Sequence, residues 1–273
     1  MNNRFAFIND DLVAETQATL GIHDLALVRG YGIFDFFRVA DHQPLFLDDH
    51  LDRFYASAAF MKLSVSPTRQ ALKEAIQQLI KKNNLPFSGV RLTLTGGYSA
   101  DGYLPAAPNL IMTQQPLLPP PAAVFEKGLR LMTYPYQRQL PQVKSIDYLM
   151  AVWLQPLLLQ QGADDVLYHQ QEAITECPRA NIFMVTQENV VVTPAENMLK
   201  GITRLKVLGL AQQHYKVEER SISLTELKQA REAFITSTTK QLLPVVRVDE
   251  AVIGTGAPGP VTRQLHQAFS ALR

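Results

Sequence analysis

A lone lysine, Lys144, separates a proline-containing extended run from the amphipathic segment 146–160, and Glu176 follows at the turn ITECPRAN. An amine at that position is a nucleophile once its charge is suppressed, and a carboxylate near a strand end can hold a protonated ring nitrogen. Most lysines are simply solvated, so Lys144 gains meaning only from what accompanies it. LKGITR (199–204) puts a glycine and unpaired amides at an expected helix N-terminus, where partial positive charge favours an anion. TSTT (236–239) ends an expected strand with hydroxyls and amides suited to the other side of an anion cup. Either stretch alone is also ordinary cap or strand-end sequence. Arg53 lies near the start of a helical segment, off its apolar stripe. Together these groups meet the needs of a phosphorylated aldehyde cofactor. The lysine forms the imine, amides, hydroxyls and arginine take the phosphate, and the carboxylate takes the pyridine nitrogen.

Composition narrows the alternatives. The chain has 273 residues, 47% of them hydrophobic, enough for one large core or two medium ones. A net charge of +1 points to neither nucleic acid nor an anionic membrane as partner. MNNRFAFINDD lacks a basic stretch followed by an apolar one, so no secretory leader is expected. The longest apolar run, LMAVWLQPLLL, is broken by Gln155 and Pro156 and does not read as a membrane span. One cysteine, Cys177, excludes an intrachain disulfide framework, and the six scattered histidines show no metal-ligand spacing. GTGAPGP (254–260) lacks phosphate-loop spacing and reads as a turn before the last helix. The expectation is a cytoplasmic globular protein.

The elements that must position these groups follow from periodicity. Residues 4–8 and 11–14 read as strands around Asn9-Asp10, and a short helical piece leads to a bend at 29–32. IFDFFRVA and PLFL read as two strands joined at 41–43. Segment 48–63 reads as a helix capped by Asp48 or Asp49, and 66–83 as a helix capped at Ser66-Pro67. GVRLTLTGG alternates as a half-buried strand, GGYSADGYLPAAP reads as a long loop, and NLIMTQQ is a further strand. The proline-rich run 116–123 divides a small N-terminal α/β domain (1–115) from a larger domain (124–273). The second half mixes strands and helices with many hairpins, which argues for a mixed α/β or α+β fold rather than a doubly wound sheet.

RGYGIFDFFRV, DHLDRFYAS, VKSIDYLMA, ITECPRANIF, LKGITR and FITSTT occur in that order. In these stretches the chain resembles the fold-type IV pyridoxal-phosphate enzymes, the class IV aminotransferase family, over nearly its whole length. The resemblance implies Lys144 as the Schiff-base lysine that shuttles the Cα proton. It implies Glu176 at the pyridine nitrogen and Arg53 on the phosphate. The backbone of Ile202 and Thr203, with Thr238 and Thr239, would complete the phosphate cup, and Leu199 would pack on the ring. It further implies a small α/β domain beside a larger barrel-like one with the site at their interface, and a homodimer whose partner loop closes it.

A substrate carboxylate needs cations, and Arg29, Arg91 and Arg179 are placed to supply them, with Phe34 lining the same region. D-amino-acid aminotransferases of the family carry an Arg-x-His pair in the loop after the Arg91 strand. Here that loop is TGGYSADGY, with Gly96 at the arginine position and no histidine. Branched-chain aminotransferases favour a strand arginine resembling Arg91. Aminodeoxychorismate lyases share the TEC-x-x-AN character of 175–181, but Phe36 stands where their early-strand threonine is expected. RGYGIFDFF and LTGGYSADGY most resemble D-amino-acid aminotransferases that lack the Arg-x-His pair. The implied substrates are an amino acid and a 2-oxo acid, and a vitamer-binding protein without catalysis is the alternative of another class.

Overall fold

A computed structural model describes residues 4–272, which form two compact units: 4–118 with Val143–Asp147, and Pro119–Gln142 with Tyr148 onward. The return of Val143–Asp147 to the first unit is a crossing that one boundary at 116–123 does not describe. That proline-rich run is also not one extended piece, because a strand continues through Pro116 and a helix opens at Ala122.

The first unit contains β1 (Phe5–Ile8), β2 (Asp11–Ala14), α1 (Leu25–Arg29), β3 (Gly32–Ala40), β4 (Gln43–Pro44), α2 (Leu47–Phe60), α3 (Arg69–Asn83), β5 (Ser88–Thr95) and β6 (Leu110–Pro116). Its sheet runs β2-β1-β6-β5-β3-β4, and every pairing is antiparallel. Val90, Leu92 and Leu94 of β5 are buried, as their alternation requires. In α3, Leu72, Ile76, Leu79 and Ile80 recur at helical spacing and are buried. Its N-cap is Thr68, whose hydroxyl accepts from Ala71 N, and not the expected Ser66-Pro67.

Two further expectations fail in this unit. PLFL is not a strand: β4 stops at Pro44, and α2 begins at Leu47. Nor does an aspartate cap α2. The N-cap is Phe46 in the left-handed region (φ 54), while Asp48 and Asp49 occupy the first turn, where the positive end of the helix favours them. The buried face of α2 is His50, Leu51, Phe54, Ser57 and Ala58, so it carries two polar groups inward that an apolar stripe alone would not include.

The second unit continues with α4 (Ala122–Lys127), β7 (Leu129–Pro135), α5 (Leu149–Trp153), α6 (Gln155–Gln161), β8 (Asp165–Gln170), β9 (Ala173–Ile174), β10 (Glu176–Cys177), β11 (Ala180–Val185) and β12 (Val191–Thr193). There follow α7 (Ile202–Ala211), β13 (Val217–Glu219), α8 (Leu224–Lys228), β14 (Glu232–Ser237), β15 (Gln241–Val248), β16 (Ala251–Val252) and α9 (Pro260–Ser270). The mixed sheet runs β13-β12-β11-β14-β15-β7-β8-β9, with β10 on β11 and β16 on β15. Its centre is dry: all of β11 is buried, and Phe183 stacks on its ladder partner Phe234 at 4.8 Å. The amphipathic segment after Lys144 is two short helices, and Leu154 and Leu158 pack on Met132, Val166 and Tyr168. GTGAPGP does precede the last helix, and Glu232 accepts from Val261 N and Thr262 N there, so an internal carboxylate occupies that N-terminus. Among the described residues no helix is long and apolar enough to cross a membrane, and no cluster of His, Cys, Asp and Glu has the form of a metal site.

Candidate active site

In the first unit the segment bearing Lys144 is held like an extra strand beside β3. Phe34 N donates to Lys144 O (2.9 Å), Ile146 N donates to Gly32 O (3.1 Å), and Ile33 bridges Ser145. Lys144 N also faces Ser57 Oγ of α2 at 3.4 Å. Only a glycine fits opposite, because a Cβ on Gly32 would come within 2.9 Å of Leu94 O and 3.1 Å of Ile146 Cδ1. The lysine backbone is therefore registered on the sheet, and its Nζ lies 4.5 Å from the centre of the Phe34 ring. The same ring carries the Arg91 guanidinium at 3.8 Å. An amine and a guanidinium thus share one buried aromatic side chain, Phe34 being 6% exposed. Arg91 Nε is steadied by Thr93 Oγ1 at 3.3 Å.

Arg53 is not displayed on a solvated face. Its Nε and Nη2 donate to the two oxygens of Asp35, both at 2.8 Å, in the planar fork geometry of a bidentate pair. His50 Nδ1 lies 2.7 Å from Asp35 Oδ1. Burial alone would raise the Asp35 carboxyl, but Arg53 and His50 reverse this and hold it well below the usual carboxylate range. Burial pushes His50 down, against the pull of Asp35. An ionised carboxylate only accepts, so Nδ1 carries the imidazole proton. The 3.3 Å approach of Arg53 Nη2 to Nδ1 is then two donors side by side, not a hydrogen bond. Sequence reading found Arg53 but neither Asp35 nor His50. The three come together only because β3 packs against α2, and nothing local announces that contact.

The second unit holds the carboxylate. Glu176 is 4% exposed, accepting from Arg138 Nε at 2.7 Å and from Leu199 N at 2.9 Å. Arg138 Nη2 in turn reaches Pro141 O at 2.5 Å. Arg138 went unnoticed in the sequence, where it is one cation in a polar run. Leu199 O takes Asn181 Nδ2 at 2.7 Å, which ties the approach to α7 onto the central sheet. Gly201 is the N-cap of α7, and a Cβ there would lie 2.3 Å from Asn181 Oδ1. No side chain caps this ten-residue helix, although Ile202 and Thr203 are buried. The hydroxyl of Thr236, whose ladder partner is Asn181, is buried without a hydrogen-bond partner. Buried, uncapped amides beside an unmet hydroxyl are an arrangement an anion satisfies. Thr238 is half-buried and Thr239 exposed just past the end of β14. Arg29 and Arg179 are not buried: Arg29 is exposed and lies over Tyr103 at 4.9 Å, and Arg179 is exposed in the turn between β10 and β11.

The first unit holds an amine registered on a sheet, and the second holds an ordered buried carboxylate and an uncapped buried helix start, the kinds of group that pyridoxal phosphate calls for. The class is that of the fold-type IV pyridoxal-phosphate enzymes. The family model for class IV amino-transferases matches residues 32–248. A D-alanine aminotransferase of Listeria monocytogenes serotype 1/2a is 28% identical over 277 residues, 96% of this chain and 93% of that protein. A branched-chain amino acid aminotransferase of Escherichia coli superposes with a TM-score of 0.91 at 26% identity, over 99% of this chain and 94% of its own. A T.th. branched-chain amino acid aminotransferase, solved with pyridoxamine 5'-phosphate, has the same fold, with a TM-score of 0.91 at 23% identity over 98% and 93% of the two chains. The chain belongs to the class IV aminotransferase family and is a pyridoxal-phosphate-dependent transaminase.

Proposed function

We propose that this transaminase takes its amino group from a D-amino acid and passes it to a 2-oxo acid. When bound, pyridoxal phosphate supplies an aldehyde that receives and returns the amino group, and a ring that takes up electron density from Cα. Lys144 Nζ would be the covalent anchor and the base that takes up and returns the Cα proton. Glu176 would hold the pyridine nitrogen, and Leu199 would pack on the ring. Arg53, the backbone of Ile202 and Thr203, and Thr238 and Thr239 would take the phosphate. Arg91 takes the substrate carboxylate against Phe34, with Arg29 and Arg179 as further cations. The observation that carries the reading is the shared Phe34 ring, with Arg91 at 3.8 Å and Lys144 at 4.5 Å, which supports carboxylate capture by Arg91 beside the amine. The preference for D-acids is supported by the TGGYSADGY loop and by the Listeria relative.

The test is the visible absorbance band of the purified protein, followed as D-glutamate, D-alanine, L-glutamate or L-leucine is added separately. Bleaching by the D-acids alone is the expected result. Bleaching by L-leucine would transfer the reading to branched-chain L-amino acids, which the Escherichia coli likeness and the strand position of Arg91 favour. Bleaching by no amino acid would direct attention to aminodeoxychorismate.

We also infer a homodimer whose second copy completes the substrate site. In the first unit Ile22, Leu27, Tyr103 and Leu104 are 66–76% exposed, an apolar set that a second chain would cover. Light scattering should give twice the 30.6 kDa chain mass at micromolar concentration, and full activity in a 30.6 kDa species would remove the proposal.

A further inference from the structure

Asp35 is wholly buried and accepts from Phe36 N (2.7 Å), His50 Nδ1 (2.7 Å), Arg53 Nε (2.8 Å) and Arg53 Nη2 (2.8 Å). Three of these bonds fall on Oδ1 and one on Oδ2, so both oxygens of the carboxylate are engaged. Its backbone belongs to β3, the strand that also registers Lys144, and His50 is wedged against Phe37 of the same strand at 5.8 Å. An arginine side chain ordinarily loses its rotamer freedom when it grips a ligand. Arg53, with 11% of its side chain exposed, is already gripped by protein, so that loss is incurred in folding. The grip has a second consequence. With Asp35 ionised and the His50 imidazole neutral, the guanidinium charge is largely offset by its own partner.

We propose that Asp35 and His50 are positioning residues that aim Arg53 at the phosphate of the cofactor, so that phosphate recognition by Arg53 depends on the direction of its N–H groups rather than on net positive charge. The inference rests on the reading of Arg53 as a phosphate ligand. The two physical accounts differ in sign. If Arg53 acted through charge, removing the Asp35 charge would strengthen anion binding. If it acts through direction, the same change weakens binding although the site becomes more positive.

The experiment titrates the full-length chain, freed of cofactor, with pyridoxal phosphate and separately with pyridoxal, which lacks the phosphate. Asp35→Asn should weaken pyridoxal phosphate on the order of 30-fold and pyridoxal less than about 2-fold. A scaffold defect would weaken both alike and would overturn the proposal, as would tighter or unchanged phosphate binding. Arg53→Met supplies the reference: because Asp35 acts through Arg53, the double variant should bind no worse than Arg53→Met alone, and additive losses would refute the coupling. His50→Phe keeps the packing against Phe37 and removes the donor, so the ratio of the two affinities should fall about 5-fold. That variant decides the matter if Asp35→Asn does not fold, and an unchanged ratio would sink the role of His50. A normal affinity in Arg53→Met would remove the phosphate reading itself. A weakened Arg53→Met beside an unaffected Asp35→Asn would remove only the present inference.

Discussion

Lys144→Ala abolishes turnover, with a fall of at least about 10⁴-fold expected in a coupled assay of 2-oxo acid formation. On the proposed reading Nζ is both the nucleophile and the group that moves the proton, and the guanidinium of Arg91 on the same ring does not duplicate it, because a guanidinium is not a proton-accepting base. The fold should survive. The backbone bonds from Phe34 N to Lys144 O and from Ile146 N to Gly32 O do not involve the side chain. The loss includes the amine over the Phe34 ring, a contact worth about 0.5–2 kcal/mol. Thermal denaturation of the variant should therefore stay close to the parent. Lys144→Arg sharpens the test, because it restores a cation over Phe34 but not a group that can give up a proton, and it should be as inactive as the alanine variant. Substantial activity in either would dissociate the reaction from Lys144.

The contrast between what was legible in the sequence and what was not follows the range of each interaction. Lys144, Glu176 and LKGITR could be singled out because each stands at an element boundary, where local pattern changes and backbone groups are left over. Arg91 could be read on one face of an alternating strand, and its meeting with Phe34 comes from the antiparallel pairing of β3 with β5, which delivers both to one face. Asp35 and His50 are polar residues within otherwise apolar patterns, and only the packing of α2 on β3 shows that they satisfy each other. Arg138 meets Glu176 across 38 positions of chain, with no periodicity to connect them. The start of α2 misled for a different reason. Two aspartates in the first turn look like caps, but Phe46 in the left-handed region turns the chain, and the carboxylates serve the helix end from inside it. PLFL fails as a strand because the same turn claims its last residue for the helix.

Arg138 also decides what Glu176→Gln should do. The carboxylate accepts from Arg138 Nε on Oε1 and from Leu199 N on Oε2. A glutamine has one accepting oxygen. If that oxygen turns to Arg138, its NH₂ meets the Leu199 N–H, and if it turns to Leu199, its NH₂ meets a guanidinium. Either orientation sets donor against donor in a buried place, at a cost of about 1–3 kcal/mol in folding stability. The catalytic loss is separate and larger in rate terms. A neutral amide does not hold a proton on the pyridine nitrogen as a carboxylate does, so kcat should fall on the order of 10²–10³-fold. Denaturant titration reads the first effect, and turnover at saturating cofactor reads the second. Arg138→Leu separates them, since it withdraws one partner of Glu176 but leaves the carboxylate and its bond from Leu199 N in place. It should destabilise the fold by a similar amount while retaining more of kcat than Glu176→Gln. A Glu176→Gln enzyme with the parent rate would assign the ring nitrogen to another group, whatever its stability.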